Sequence, residues 1–260
     1  MLSKISLEER SYIIGLFQGD GNLSKSTRNR GKLSYEISKR DADIIYKLEK
    51  LFSNHVNITI SERCRSTNFK DDFDCICLTI FNMKFREELN KFLPYGKKSL
   101  LIKPQLTLSD KDYIRGLIDS DGSLGRTSNK RCFISLCTAS KYIKEFLIDS
   151  IFKITGREKV INRNKRDNIY NITLFDEDAK LYAEYLYKDS QLYIDRKYEA
   201  YKNIMLWERP IGQKRIFKKT WLPEEDRFIK NDEFSIQEKM KLLGRSEKSI
   251  CMRLHRLRKL

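Results

Sequence analysis

Apolar and polar positions along the chain run through the same order twice. In the first round Ser6-x-x-Glu9 forms a capping box ahead of an apolar run, Tyr12 to Phe17, which predicts a helix. A hairpin follows over 22–40, turning near Asn29-Arg30-Gly31, then an amphipathic helix from Asp41 to Phe52. Alternating strands near Val56 to Arg65 and Phe73 to Ile80 lead to a helix from Met83 to Leu93. The second round opens with another box, Thr107-x-x-Asp110, and a second apolar helix. Strands near Ser123 to Thr127 and Arg131 to Thr138, a helix from Ser140 to Thr155, strands near Lys159 to Asn164 and Ile169 to Phe175, and a helix from Asp176 to Tyr187 complete it. One more helix, Asp195 to Met205, closes the unit.

The repetition extends to residue identity. Tyr12 to Leu23 and Tyr113 to Leu124 share seven of twelve residues at a separation of 101, and Leu7 matches Leu108 upstream. Gly15 with Gly19, and Gly116 with Ser120, fall four apart on one helical face, where small side chains let another backbone come close. Gly21 and Gly122 are expected to end the helices in the left-handed conformation. If the two helices pack through these faces, their C-terminal ends bring Asp20 and Asp121 together.

That juxtaposition is electrostatically poor. A helix dipole disfavours an anion at its C-terminus by roughly 0.3–1 kcal/mol. Two carboxylates about 4 Å apart repel by roughly 4 kcal/mol at an effective dielectric near 20. A divalent cation reverses both terms. Oxygen ligands without histidine or thiolate point to magnesium, with calcium or manganese as substitutes. Asp20 and Asp121 are the expected metal ligands, with the small residues before them, Gly19 and Ser120, assigned to the same site. One copy alone would be explained by a helix ending in an Asp-Gly turn; two matched copies are not.

Composition narrows the partner. In 260 residues, 52 Lys and Arg face 36 acids, a formal charge of +16, which suits a polyanion, nucleic acid first. Forty per cent hydrophobic residues supply a core. The six cysteines show no zinc spacing and only two histidines exist, so reduced thiols and an intracellular, soluble protein are expected. No apolar run reaches membrane-spanning length.

Basic and amide side chains crowd the hairpins beside each acid. Lys25, Thr27, Arg28, Asn29, Arg30 and Lys32 load the first, and Arg126, Thr127, Asn129, Lys130 and Arg131 the second. Charged hairpins also protect sheet edges, but two placed alike beside matched acids suit contacts to phosphates and base edges of DNA. Arg63, Arg65, Arg163 and Lys165 on the following strand pairs extend the footprint. Lys39 and Thr138, closing the second strand of each half, are candidates for ordering solvent and for DNA contact. Lys98 after Pro94-Tyr95-Gly96, and Lys197 in Asp195-Arg196-Lys197, occupy corresponding regions of the two halves and are candidates for supplying positive charge.

Beyond Arg209 the composition changes. A Pro- and Gly-containing linker over 209–219 leads to three predicted helices in 220–260: Pro223 to Lys230, Ser235 to Leu243 and Ser246 to Arg258. Gly244 separates the last two as in a helix-turn-helix. Ile250, Leu254 and Leu257 form an inward stripe, while Lys248, Ser249, Arg253 and Arg256 are expected to point outward to DNA. A helical cap with no DNA role is the alternative.

The runs Ile13 to Gly21 and Ile114 to Gly122 resemble the signature of the LAGLIDADG homing endonucleases in their two-motif, single-chain form. The resemblance covers roughly residues 1–208. It implies an α+β fold: a pseudo-twofold pair of αββαββα half-domains, 1–104 and 105–208, with the signature helices at the interface and a β saddle on DNA. Asp20 and Asp121 occupy the family's metal-binding position, and the family's basic residue near the active site implies Lys98 and Lys197 as catalytic candidates beside them. The sixth signature position, Gln18 and Asp119 here, is assigned no metal role. The resemblance further implies a monomeric, site-specific double-strand DNA endonuclease with a long asymmetric target and cohesive 3′ ends, mobilising an intron or free-standing gene. An RNA maturase assisting group I intron splicing on the same scaffold is the alternative. An intein is not expected, since Met1 opens the fold directly and no terminal asparagine is present. The segment 220–260 resembles Myb/SANT-like helix-turn-helix domains through Trp221, Glu224-Glu225-Asp226, Phe228-Ile229 and Leu243-Gly244-Arg245-Ser246.

Overall fold

The computed structural model describes residues 2–25, 30–66, 72–105, 107–210, 212 and 221–258, the side chain of Arg65 excepted. Thr27, Arg28, Asn29 and the Arg65 side chain, together with the first hairpin turn and most of the predicted linker, therefore lie outside the described residues. The chain forms two compact units, Met1–Arg209 and Pro210–Leu260.

In the first unit α1 (Leu7–Gly19) starts as its sequence predicts. The Ser6 hydroxyl accepts from Glu9 N–H at 3.1 Å, and the Glu9 carboxylate accepts from Ser6 N–H at 3.1 Å. Its counterpart α4 (Asp110–Asp121) does not start at Thr107. The cap is Ser109, whose N–H donates to Ser11 Oγ of α1 and whose hydroxyl donates to Asp112. A contact between the two helices thus sets the second start, overriding the local capping signal.

The helices meet backbone to backbone. A Cβ added to Gly15 would lie 2.2 Å from the Tyr113 carbonyl oxygen, and one on Gly116 would lie 2.1 Å from that of Tyr12. Tyr12 and Tyr113, and Gly15 and Gly116, are equivalent in the repeat, so the contact is reciprocal. One on Gly19 would fall 1.9 Å from Ser120 Oγ. Gly21 and Gly122 correct the left-handed expectation. Neither has positive φ; Gly122 is extended at φ −93°, ψ 174°. They are glycines because the chain turns straight from helix into strand, and a Cβ would come within 2.7 Å of Phe17 O or of Ile118 Cα and O.

Each helix feeds an antiparallel sheet. The first, ordered β1-β2-β4-β3, contains β1 (Gly21–Leu23), β2 (Leu33–Ser38), β3 (Ile58–Arg65) and β4 (Phe73–Ile80). The second, ordered β5-β6-β7, contains β5 (Gly122–Arg126), β6 (Cys132–Thr138) and β7 (Tyr170–Phe175). The registers match, with Gly21 opposite Tyr35 and Gly122 opposite Leu136. The strand predicted at Lys159 to Asn164 is absent as a strand; one isolated bridge joins Arg163 to Tyr170. Its neighbouring apolar residues split, Val160 being 84% exposed while Ile161 packs against the second core, and no ladder forms beyond that bridge.

Helices α2 (Asp43–Phe52), α3 (Met83–Asn90), α5 (Lys141–Thr155), α6 (Asp176–Tyr187) and α7 (Asp195–Met205) pack with the sheets around two apolar cores. The cores are cross-linked, because Ile14 of α1 joins the second and Leu192 and Ile194 join the first. The other sheet faces are polar: Ser34, Thr79 and Thr59 align across one, Ser123, Ser135 and Thr173 across the other.

The second unit contains α8 (Pro223–Lys230), α9 (Ile236–Leu243) and α10 (Glu247–Leu257). Ser235 and Ser246 cap the last two, and Gly244 takes the left-handed conformation at φ 59° between them. Ile229 and Ile250 are its buried apolar centre. Arg253 corrects the outward expectation. Its Nε lies 2.7 Å from the Asp226 carboxylate, and its side chain is half-buried.

Candidate active site at the paired helix ends

Asp20 caps α1 and Asp121 ends α4, so the backbone contact at Gly15 and Gly116 carries both acids to one place. Asp121 Oδ2 lies 3.2 Å from the point where a Gly19 side chain would begin. Both aspartates keep solvent access, yet protein crowds them. That crowding first, and the neighbouring Asp121 carboxylate second, push Asp20 up to about 6. Burial likewise raises Asp121, against the opposing pull of Lys98 and Lys197.

Each helix end is held by one lysine. Lys98 Nζ donates to the carbonyls of Phe17, at 2.8 Å, and Gly21. Lys197 Nζ donates to Ile118 O and Asp119 O at 2.6 Å and to Gly122 O at 3.0 Å. Phe17 and Ile118, and Gly21 and Gly122, are again repeat partners. A cation on terminal carbonyls opposes the negative end of the helix dipole. Burial lowers Lys98 to about 8, while Asp121 and Asp20 resist that shift. Lys197 is more deeply buried and its pKa also falls, with Asp119 resisting.

No family model matches the chain. A stretch of 184 residues, 66% of the chain, is 26% identical to a DNA polymerase of Acanthamoeba polyphaga mimivirus, and the chain spans only 10% of that protein. The homing endonuclease I-WcaI, solved bound to its DNA recognition sequence, aligns over 77% of this chain and 87% of its own, with 21% identity and a TM-score of 0.51. The I-SmaMI LAGLIDADG homing endonuclease, solved bound to cleaved DNA, aligns over 77% and 87% with 12% identity and a TM-score of 0.50. The chain has the LAGLIDADG homing endonuclease fold.

Within this LAGLIDADG fold the sixth signature position differs between copies. Gln18 Nε2 donates to the carbonyls of Phe92 (2.8 Å) and Lys103 (3.2 Å), and its Oε1 accepts from the Tyr113 hydroxyl. Asp119 accepts from Tyr12 OH at 2.7 Å, Tyr187 OH at 2.5 Å and Ile194 N–H at 3.0 Å. Burial raises Asp119 nonetheless. The tyrosines were missed by sequence reasoning, although Tyr12 and Tyr113 open both copies of the repeat. Tyr35 was also missed: its ring packs 5.6 Å from Phe17, and its hydroxyl has no hydrogen-bond partner among the described residues.

The predicted DNA contacts divide into two groups. Several are engaged by protein groups. Arg126 donates to Asn203 O, and Arg131 pairs bidentately with Asp176. Arg163 donates to Asn168 O and Ala139 O, and Lys39 bonds Glu62 at 2.6 Å. Arg63 approaches Glu36 at 3.9 Å. Thr138 is buried and accepts from Ser140 N–H. Ser120, assigned to the metal site rather than to DNA, has its Oγ turned back onto Gly116 O and Leu117 O. Thr127 Oγ1 accepts from Arg131 N–H within its turn. Lys25, Arg30, Asn129, Lys130 and Lys165 are exposed, and Lys32 is half-buried.

Proposed function

We propose that the chain is a site-specific double-strand DNA endonuclease in which Asp20 and Asp121 bind divalent cations between the two target strands. The observation that carries this reading is the pair of solvent-reachable carboxylates delivered to one place by matched helix ends, with a lysine behind each. Among the described residues no group of three or more His, Cys, Asp or Glu forms a complete protein cage. Two carboxylates without thiolate or imidazole suit a hard cation that completes its shell with water and phosphate oxygens, magnesium first and manganese next. When bound, such a cation polarises a phosphate and lowers the pKa of its water.

The protein's own part is positioning. The glycine contact holds the acids together without a hinge, and the lysines hold the helix ends from below. Lys98 adds positive field near Asp121 and Asp20, where charge develops during phosphodiester cleavage. Above about pH 6 Asp20 is ionised and ready for a cation. The polar sheet faces, with Lys25, Arg30, Lys32, Asn129, Lys130 and Lys165 near their hairpins, would receive the duplex. Since one chain carries both acids, the proposed enzyme acts as a monomer on a long, asymmetric site. Its proposed use is to mobilise an intron or a free-standing gene. The likeness to I-WcaI and I-SmaMI, both solved with DNA, supports duplex DNA as partner.

The test is selection of cleaved sites from a randomised duplex library with magnesium, using wild type, Asp20→Asn and Asp121→Asn proteins. Wild type should enrich one long site cut on both strands, and calcium should permit binding without cutting. Equal cutting by both variants would discard the mechanism.

A further inference from the structure

We propose that Arg196 and Asp41 are positioning residues for Lys197, through which the first half holds the lysine that stands behind the second half's acid. The consequence for DNA, unequal dependence of the two strands on this pair, rests on the nuclease reading; the geometry does not.

Lys197 is 4% exposed, and its ammonium has three N–H groups and three carbonyl acceptors at the end of α4. A lysine with no donor left over acts through the helix end it holds, and so through where Asp121 stands. A buried ammonium is tolerable only while its acceptors stay in place, and a flexible four-carbon stem cannot keep it there. Its position must come from the backbone that carries it, the first turn of α7.

That turn is gripped from the other half of the unit. Arg196 meets Asp41 with two parallel bonds, Nε at 2.6 Å and a terminal nitrogen at 2.8 Å. Asp41 is 4% exposed in the single helical turn that leads into α2, so the fork has a fixed anchor. Beside it, Asp195 N–H donates to the Asp43 carboxylate at 2.9 Å. Lys47 of α2 reaches Tyr193 O at 2.7 Å and the Asp195 carboxylate at 2.5 Å. From its own half the turn receives one further bond, Ile194 N–H to Asp119 at 3.0 Å.

The grip runs one way. Lys98 is half-buried, and Lys97, which precedes it as Arg196 precedes Lys197, is exposed. Tyr142 stands where the repeat places the counterpart of Asp41, and it is 47% exposed and carries no charge to pair with an arginine. Loosening the Arg196–Asp41 fork should therefore disturb the Lys197 side and spare the Lys98 side, which a general loss of stability cannot do.

The experiment follows the full chain by two readouts. Spectra of isotope-labelled lysine in the metal-free, DNA-free protein report the Lys197 ammonium, identified by its absence in Lys197→Met, as a signal protected from solvent exchange. Single-turnover nicking of each strand of the selected duplex reports the two sites. In Arg196→Ala the Lys197 signal should be lost to exchange, and the strand that Lys197→Met slows should lose about tenfold more rate than the other. Asp41→Leu/Arg196→Met leaves no buried carboxylate unpaired and should do the same, which covers poor folding of the single variant. Arg157→Ala removes a different ion pair of the second half, with Asp178 at 3.1 Å, and should leave the signal and the strand ratio as in wild type. A retained Lys197 signal in the fork variants overturns the proposal. Equal slowing of both strands also overturns it, because the pair would then only stabilise the fold. If wild type nicks no duplex, the nuclease reading has failed, and the spectrum alone decides whether the fork holds Lys197.

Discussion

The two halves of the first unit agree where backbones touch and differ where side chains hydrogen-bond. Gly15 and Gly116 each face the other helix's tyrosine carbonyl at a distance no Cβ could occupy, so neither copy admits another residue. Two residues before each acid, Gln18 and Asp119 have diverged. Gln18 meets two carbonyls and a phenol, so it needs an amide that donates twice and accepts once. Asp119 meets two phenols and an N–H, all donors, so a carboxylate satisfies it. Steric contact allows one answer, whereas a polar pocket allows any answer whose donors and acceptors balance.

This contrast can be broken most forcefully at the glycines. Gly15→Val or Gly116→Val should cost about 3 kcal/mol or more and leave little folded protein, read from the denaturant midpoint. A variant as stable as wild type would mean that the helix contact does not organise the fold. Asp20→Asn and Asp121→Asn should each lower double-strand cleavage by roughly 10²–10³-fold with DNA affinity held, measured on the selected site. Loss of cutting by only one of them would show that the matched acids are not functionally matched.

The polar pockets should respond by chemistry rather than size. Gln18→Glu keeps the shape but turns a carboxylate oxygen towards two carbonyls, at a cost of about 2–4 kcal/mol at neutral pH. Its stability should partly recover on acidification, because protonation restores one donor. Asp119→Asn should also destabilise the fold, through an NH₂ placed against donors.

Asp20 sharpens the comparison through pH. Its folded pKa, about 6, lies above the ordinary carboxylate value, so the metal-free native state holds a proton that the unfolded chain has lost. Its ionisation therefore lowers stability as pH rises from about 4 to 6. Relative to wild type, Asp20→Asn should gain stability across that window without metal. An NMR titration should find Asp20 near 6, and lower in Asp121→Asn. The shift should be partial, because crowding is the larger cause. The smallest expected effect belongs to the hairpin cations: Lys25→Ala or Lys32→Ala should each reduce the salt slope of DNA binding by about 0.9.

Ser6 and Thr107 show why only part of this was legible along the chain. Both precede an acid at capping distance, yet the Ser109–Ser11 bond moves the second helix start, and a local motif cannot register a partner 98 residues away. Lys159 to Asn164 alternates like a strand, but only one bridge forms there, with Val160 exposed and Ile161 packed against the second core. Arg253 carries the same charge as Arg256, and only the position of Asp226 separates a structural cation from an exposed one. Lys98 and Lys197 were singled out by their place in the sequence, but their hold on the helix-end carbonyls was not legible there, because those carbonyls belong to residues about 80 positions earlier.

The repeat, its small-residue faces, its paired acids and the order of helices and strands followed from local pattern, since periodicity and capping act within a few residues. Which groups are paired, how many strands each sheet holds, and how far each acid departs from its ordinary pKa depended on neighbours brought in from distant parts of the chain. Hydrogen bonding and desolvation act over a few ångströms of space, whatever the separation in sequence, so only the folded chain decides them.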